Sequence, residues 1–193
     1  MRVVIYDSTA GALSTLWRLG AWLAVRRGHA HESHAVHSWA GLVNLLDGLR
    51  GKRIMSISLW GHGSRASPQL GGAPLDSATL DQIAERVRAA IAGPEAVFWF
   101  RSCSTFATSA GQRWAERCAR SFGCRVAGHT FSIGRGRSVF AAWQWGAQSG
   151  LHVLRPGEAA TWPAIEGVGA DLRPLWSSWS APATVGCLSR GPT

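Results

Sequence analysis

Three short, largely apolar runs constrain this chain more than any other feature. They are RVVIY at Arg2–Tyr6, IMSISLW at Ile54–Trp60 and AVFWF at Ala96–Phe100. Each has the length of a strand and is too short for a buried helix, and none alternates cleanly between apolar and polar residues. Runs of this kind read as strands buried on both faces, which are typical of parallel sheets covered by helices. The intervening sequence supplies the helices. Leu13, Leu16, Trp17, Leu19 and Leu23 recur at mostly helical spacing from Gly11 to Arg27, and Gly28 closes the segment. Ser38 is positioned to cap a helix over Trp39–Leu49. Asp76 or Ser77 can cap another that runs to Ile91 before Gly93-Pro94, and Ser109–Phe122 forms a fourth. Weaker strands fall at His34–His37, Arg125–Gly128 and Leu151–Leu154, and Ser67–Leu75 reads as a turn or small hairpin. The expected fold is α/β: a three-layer sandwich with a mostly parallel central sheet and helices on both faces.

At 193 residues, with 46% hydrophobic and 16% charged residues, the chain suits one folded domain. The regular pattern covers about residues 1–130, and a less regular, Trp-rich part follows at 131–193. The first residues enter a strand pattern directly, with no basic segment and apolar stretch of the secretory kind. The longest apolar stretch, Gly11–Val25, is interrupted by Arg18 and is too short to span a bilayer. These features lead us to expect a cytoplasmic protein without a membrane span. The formal charge of +9 invites a nucleic-acid reading. However, the basic residues are scattered arginines with a single lysine, Lys52, and form no nucleic-acid motif, so nucleic acid is not the expected partner.

The ends of the apolar runs carry the chemistry. The second run leads into Gly61-His62-Gly63, and the third into Arg101-Ser102-Cys103. In an open parallel sheet, sites form beyond the C-terminal ends of the strands. If these two strands are neighbours, roughly 4.8 Å apart, His62 and Cys103 leave adjacent ends toward one gap. A thiol nucleophile and its base require that arrangement. Gly63 has no side chain, so its N–H can approach a substrate oxygen and, with the N–H of Cys103, form an oxyanion hole. His129 ends the next strand at the same sheet edge, where it either shapes the substrate groove or makes a structural hydrogen bond.

The remaining candidates have plainer readings. Cys118 and Cys124 lie in or just after a helical pattern and read as small buried hydrophobes, and no Cys pair has zinc-finger spacing with histidines. His29, His31, His34 and His37 cluster without the spacing of a metal-binding helix, so neither a metal nor another cofactor is expected. Six of the 11 tryptophans fall in periodic segments and read as core. The others are Trp143, Trp145, Trp162, Trp176 and Trp179, which either cover the core or line a groove.

With these residues in place, the chain resembles the caspase-like cysteine peptidases, a group that includes metacaspases, legumains and gingipains. The likeness spans roughly residues 2–130. It rests on Trp60-Gly61-His62-Gly63, Leu70-Gly71-Gly72-Ala73-Pro74-Leu75-Asp76, Cys103, Gly111 and Val126-Ala127-Gly128, and it is nearest to bacterial caspase-like domains. The resemblance implies His62 as general base and Cys103 as nucleophile. It also implies a sheet in which the His strand lies between the first strand and the Cys strand. The activity implied is hydrolysis of a polypeptide by a Cys-His dyad.

Two positions depart from the family pattern. Arg101 stands two residues before the cysteine, where relatives that cut after Lys or Arg usually carry an acid and caspases carry glutamine. Asp7 ends the first strand, where the family builds part of its specificity pocket. Both are expected to face the pocket for the residue preceding the cut. A paired Asp7 and Arg101 would favour uncharged residues, and a free Arg101 acidic ones. A free Asp7 with Arg101 swung to solvent would favour basic residues, and this last outcome is the one expected. The alternative function is a catalytically inactive caspase-fold module for binding or regulation, motivated by Arg101 and the Trp-rich tail. The long Phe131–Gly150 stretch suits either an activation or substrate loop or an ordered surface excursion. Oligomeric state has no sequence signal.

Overall fold

The structure, a computed structural model, describes residues 1–64, 67–129, 132–133, 151–154 and 170–171. In chain order the elements are β1 (Arg2–Asp7), α1 (Ala12–Arg26), β2 (Glu32–Val36), α2 (Trp39–Gly48), β3 (Ser56–Trp60), β4 (His62–Gly63), β5 (Pro68–Leu70), β6 (Ala73–Pro74), α3 (Ser77–Ala90), β7 (Val97–Arg101), α4 (Ser109–Phe122), β8 (Arg125–His129), β9 (Ser132–Ile133), β10 (Leu151–Leu154) and β11 (Ala170–Asp171).

The main sheet has the order β10-β8-β7-β3-β1-β2. Every pairing from β2 to β8 is parallel, and β10 joins β8 antiparallel at the edge. β3, the His strand, therefore lies between β1 and β7, the Cys strand. β9 and β11 form a separate parallel pair.

Helices cover both faces, as the apolar runs require. Val3, Ile5, Ile57, Leu59, Phe98, Phe100 and Val126 form one core with α2, α3 and α4. Val4 and Trp60 pack on the other side with Trp17, Ala21 and Ala24 of α1. The alternation arises because successive strand residues point to opposite faces, while register partners on neighbouring strands share a face.

Helix starts follow side-chain chemistry. Ser38 Oγ accepts the Gly41 N–H (3.1 Å), Asp76 Oδ1 the Thr79 N–H (2.7 Å) and Thr108 Oγ1 the Gly111 N–H (3.2 Å). Gly123, at φ 64°, closes α4 in the left-handed conformation that glycine adopts without strain. Among the described residues no helix is long and apolar enough to cross a membrane.

Candidate active site

β3 and β7 run in register from Ser56 and Val97 to Trp60 and Arg101. His62 and Cys103 each lie two residues past the last pair. The Ser67–Leu75 segment forms the hairpin expected of it, and the hairpin extends to the histidine. β4 pairs antiparallel with β5, and β5 with β6. The Ser64 N–H donates to the Ser67 carbonyl (2.9 Å), so His62–Gln69 is the next hydrogen-bonded pair and Gly63–Pro68 is a non-bonded one. The Gly63 N–H therefore points out of the hairpin.

Gly63 seats directly on the cysteine. A Cβ added there would lie 2.3 Å from the Cys103 carbonyl oxygen, 3.0 Å from the Cys103 nitrogen and 2.8 Å from Thr105 Oγ1. Only glycine permits this approach. Gly61 is constrained similarly, with a Cβ position 2.9 Å from the Gln69 carbonyl oxygen.

The cysteine turn is braced from within. Ser104, directly after Cys103, has φ 51°, a left-handed conformation that costs a non-glycine residue energy and is enriched at functional sites. Ser102 Oγ and Thr105 Oγ1 are 2.6 Å apart, and the Phe106 N–H donates to the His129 carbonyl (3.0 Å). The Phe106 ring occupies the space where a side chain at position 128 would stand. Cys103 is half-buried, whereas Cys118 and Cys124 are buried. Burial raises the Cys118 thiol pKa well above its ordinary value and pushes that of Cys124 up to about 12. These two cysteines are the hydrophobes expected from the sequence.

The His62 ring is exposed and meets the Trp17 indole edge-on, with centroids 5.4 Å apart and planes at 66°. Among the described residues it has no hydrogen-bond or ion-pair partner, and the contact seen between the two strand ends is that of the Gly63 and Cys103 backbones. Trp17 is a site neighbour that helical periodicity presented only as core.

Asp7 and Arg101 do not share a pocket, which corrects the expectation for this pair. Tyr6, Trp60 and Arg101 are successive register partners and share one face, which puts Asp7 on the opposite face. The Asp7 carboxylate is buried and occupied. Oδ1 accepts the Thr9 N–H and hydroxyl, both at 2.7 Å, and Oδ2 accepts the Gly71 N–H at 3.0 Å. Asp7 thereby holds the β5–β6 turn. Gly71, at φ 62°, also abuts the His37 carbonyl, and the Trp39 indole N–H donates to the Ala73 carbonyl (2.9 Å).

Arg101 does not swing to solvent; it is 6% exposed. Its guanidinium carbon lies 4.6 Å from the Trp60 ring centroid and 5.0 Å from that of Trp99. Trp99 is two residues from Arg101 in the chain, but Trp60 comes beside it only through the β3–β7 register. Among the described residues Nη1 has no hydrogen-bond partner, and burial lowers the guanidinium pKa to about 9. A desolvated cation–π contact is worth about 2 kcal/mol. Burying an unpaired ion costs several kcal/mol even after relaxation, so the two indoles together offset much of that cost.

His129 lies at the same sheet edge. Its Nε2 accepts from the Trp99 indole N–H (3.2 Å), which puts the proton of the neutral ring on Nδ1. In the His cluster, His34 Nε2 contacts Glu32 Oε2 (3.1 Å), and this hydrogen bond is the largest cause of a lowered Glu32 pKa. His31 Nδ1 accepts the Arg2 N–H (3.2 Å). The Phe131–Gly150 loop, apart from β9, and the five tail tryptophans lie outside the described residues.

No protein-family model matches the chain, and no curated protein is significantly similar to it in sequence.

Proposed function

We propose that this protein is a cytoplasmic cysteine endopeptidase of bacterial caspase-like type. The observation that carries this reading is the seating of Gly63 on the Cys103 backbone, which brings the His and Cys strand ends together. In the reaction, His62 accepts the Cys103 thiol proton and the thiolate adds to the scissile carbonyl carbon. The Gly63 and Cys103 N–H groups receive the resulting oxyanion. His62 then gives the proton to the departing amine, leaving a thioester on Cys103. Water, deprotonated by His62, adds to the thioester. The carboxylic acid leaves and the thiol is restored, with no metal or cofactor involved.

A second reading, a non-catalytic binding module of the same fold, is favoured by the His62 ring resting on Trp17 without a hydrogen-bond partner among the described residues. A peptide library separates the two. The peptidase reading expects cleavage by the wild type and none by Cys103→Ala. Equal cleavage by both, or by neither, leaves the binding module as the better account.

A further inference from the structure

We infer that Trp17 is a positioning residue for His62: its indole holds the imidazole in the rotamer from which it serves Cys103. This role rests on the peptidase reading and adds to the site a member from α1, outside the two strand ends. A histidine that works with a thiol is ordinarily oriented by a third group, most often one that hydrogen-bonds its ring. His62 has no such partner among the described residues, and its ring is exposed, so neither a hydrogen bond nor burial fixes its torsions. The contact described for it is the edge-on one with Trp17, with ring centroids 5.4 Å apart.

The two rings differ in freedom. Trp17 is 7% exposed and belongs to the cluster of Val4, Ala21, Ala24 and Trp60 between α1 and the sheet. The start of α1 is tied to the site end of β1, because Ser14 Oγ donates to the Asp7 carbonyl (3.0 Å) about one turn before Trp17. The indole is therefore a fixed wall, and the imidazole is the ring that it stops. The chain also sets the side on which they meet. Trp60 packs toward α1, and the alternation of an extended chain returns His62 to that side. The Gly63 backbone seats on that of Cys103, so position 62 is already beside the thiol and the ring torsions are what remain to be set.

The test measures alkylation of Cys103 by iodoacetamide at slightly acidic pH, with glutathione as reference. The proteins are wild type, Trp17→Phe, Trp17→Leu, His62→Ala and the double variant Trp17→Leu/His62→Ala, each melted first. Trp17→Leu should lower the His62-dependent part of the rate about two- to tenfold, the factor by which an edge-on ring pair favours its own rotamer. Trp17→Phe keeps an aromatic ring and should retain most of that part. In the His62→Ala background Trp17→Leu should change nothing, because a residue that acts through the imidazole has no effect once the imidazole is gone. A packing defect around the cysteine would instead slow both backgrounds alike. In wild type the His62 ring protons should show NOEs to the Trp17 indole and a single side-chain rotamer, a measurement that needs no variant to fold. A wild-type Cys103 without a His62-dependent excess over glutathione would sink the peptidase reading and this proposal with it. Four results would overturn the role of Trp17 and leave the peptidase reading standing. They are an excess that Trp17→Leu leaves unchanged or raises, an equal loss in the His62→Ala background, a Trp17→Phe protein as slow as Trp17→Leu, or an imidazole that averages among rotamers.

Discussion

Replacing Gly63 with alanine tests the geometry at its tightest point. The added methyl would stand 2.3 Å from the Cys103 carbonyl oxygen and 2.8 Å from Thr105 Oγ1. Restoring ordinary contact with the carbonyl requires a displacement of about 1 Å. Neither neighbour yields easily, because the carbonyl is backbone and Thr105 is buried and paired with Ser102. Overpacking of this kind costs about 1–3 kcal/mol of stability. A misplacement of about 1 Å in a reacting group costs about 10²-fold in rate. Gly63→Ala should therefore stay folded with a lowered melting temperature, while peptide cleavage falls about a hundredfold. The matched control is Gly48→Ala at the end of α2, where an added Cβ meets nothing within 4 Å. It should gain about 0.5–1 kcal/mol and keep full activity. Melting curves and initial rates for the two variants decide the matter. Gly63→Ala with wild-type stability and rate would show that the two strand ends do not touch as described.

Further expectations concern the supports of the site. Asp7→Ala should speed hydrogen exchange at the Gly71 amide, read by NMR, because that N–H loses its carboxylate acceptor; unchanged protection would remove Asp7 as the tie on the hairpin. Phe122→Ala should cost about 3–5 kcal/mol in denaturant unfolding, because the ring is fully buried against Phe98 and Phe100. In native protein Cys118 and Cys124 should resist iodoacetamide up to about pH 10, because burial raises both thiol pKa values and keeps them protonated; mass spectrometry of the digested protein reads this directly. The depressed Asp76 carboxyl contributes stability that is present above its unfolded-state pKa and lost as pH falls through its lower folded value. Asp76→Asn should flatten that acid limb in pH-dependent melting.

Much of the fold was legible because strands buried on both faces leave an unmistakable pattern. Ile54–Trp60 and Ala96–Phe100 announced parallel strands, and the helix caps at Ser38 and Asp76 fell where the sequence put them. The placing of His62 and Cys103 at strand ends was legible too. Their adjacency depended on sheet order, which only the resemblance supplied. The placing of Asp7 and Arg101 in one pocket failed for a reason that single-strand reading cannot reach. Both end their strands, but Arg101 is in register with Trp60 and Tyr6, one residue short of Asp7, and a one-residue offset reverses the face. The burial of Arg101 was hidden similarly, because nothing local distinguishes an arginine bound for solvent from one held between indoles on two strands.

The central claim is that His62 and Cys103 act as one unit, and the reactivity of the cysteine tests it most directly. Alkylation of Cys103 by iodoacetamide at pH 6.5 is measured by mass spectrometry in wild type and in His62→Ala, with glutathione as the free-thiol reference. The account predicts that wild-type Cys103 reacts at least tenfold faster than glutathione and that His62→Ala removes most of the excess. A wild-type rate no greater than that of glutathione, or a fast rate unchanged in His62→Ala, would contradict it.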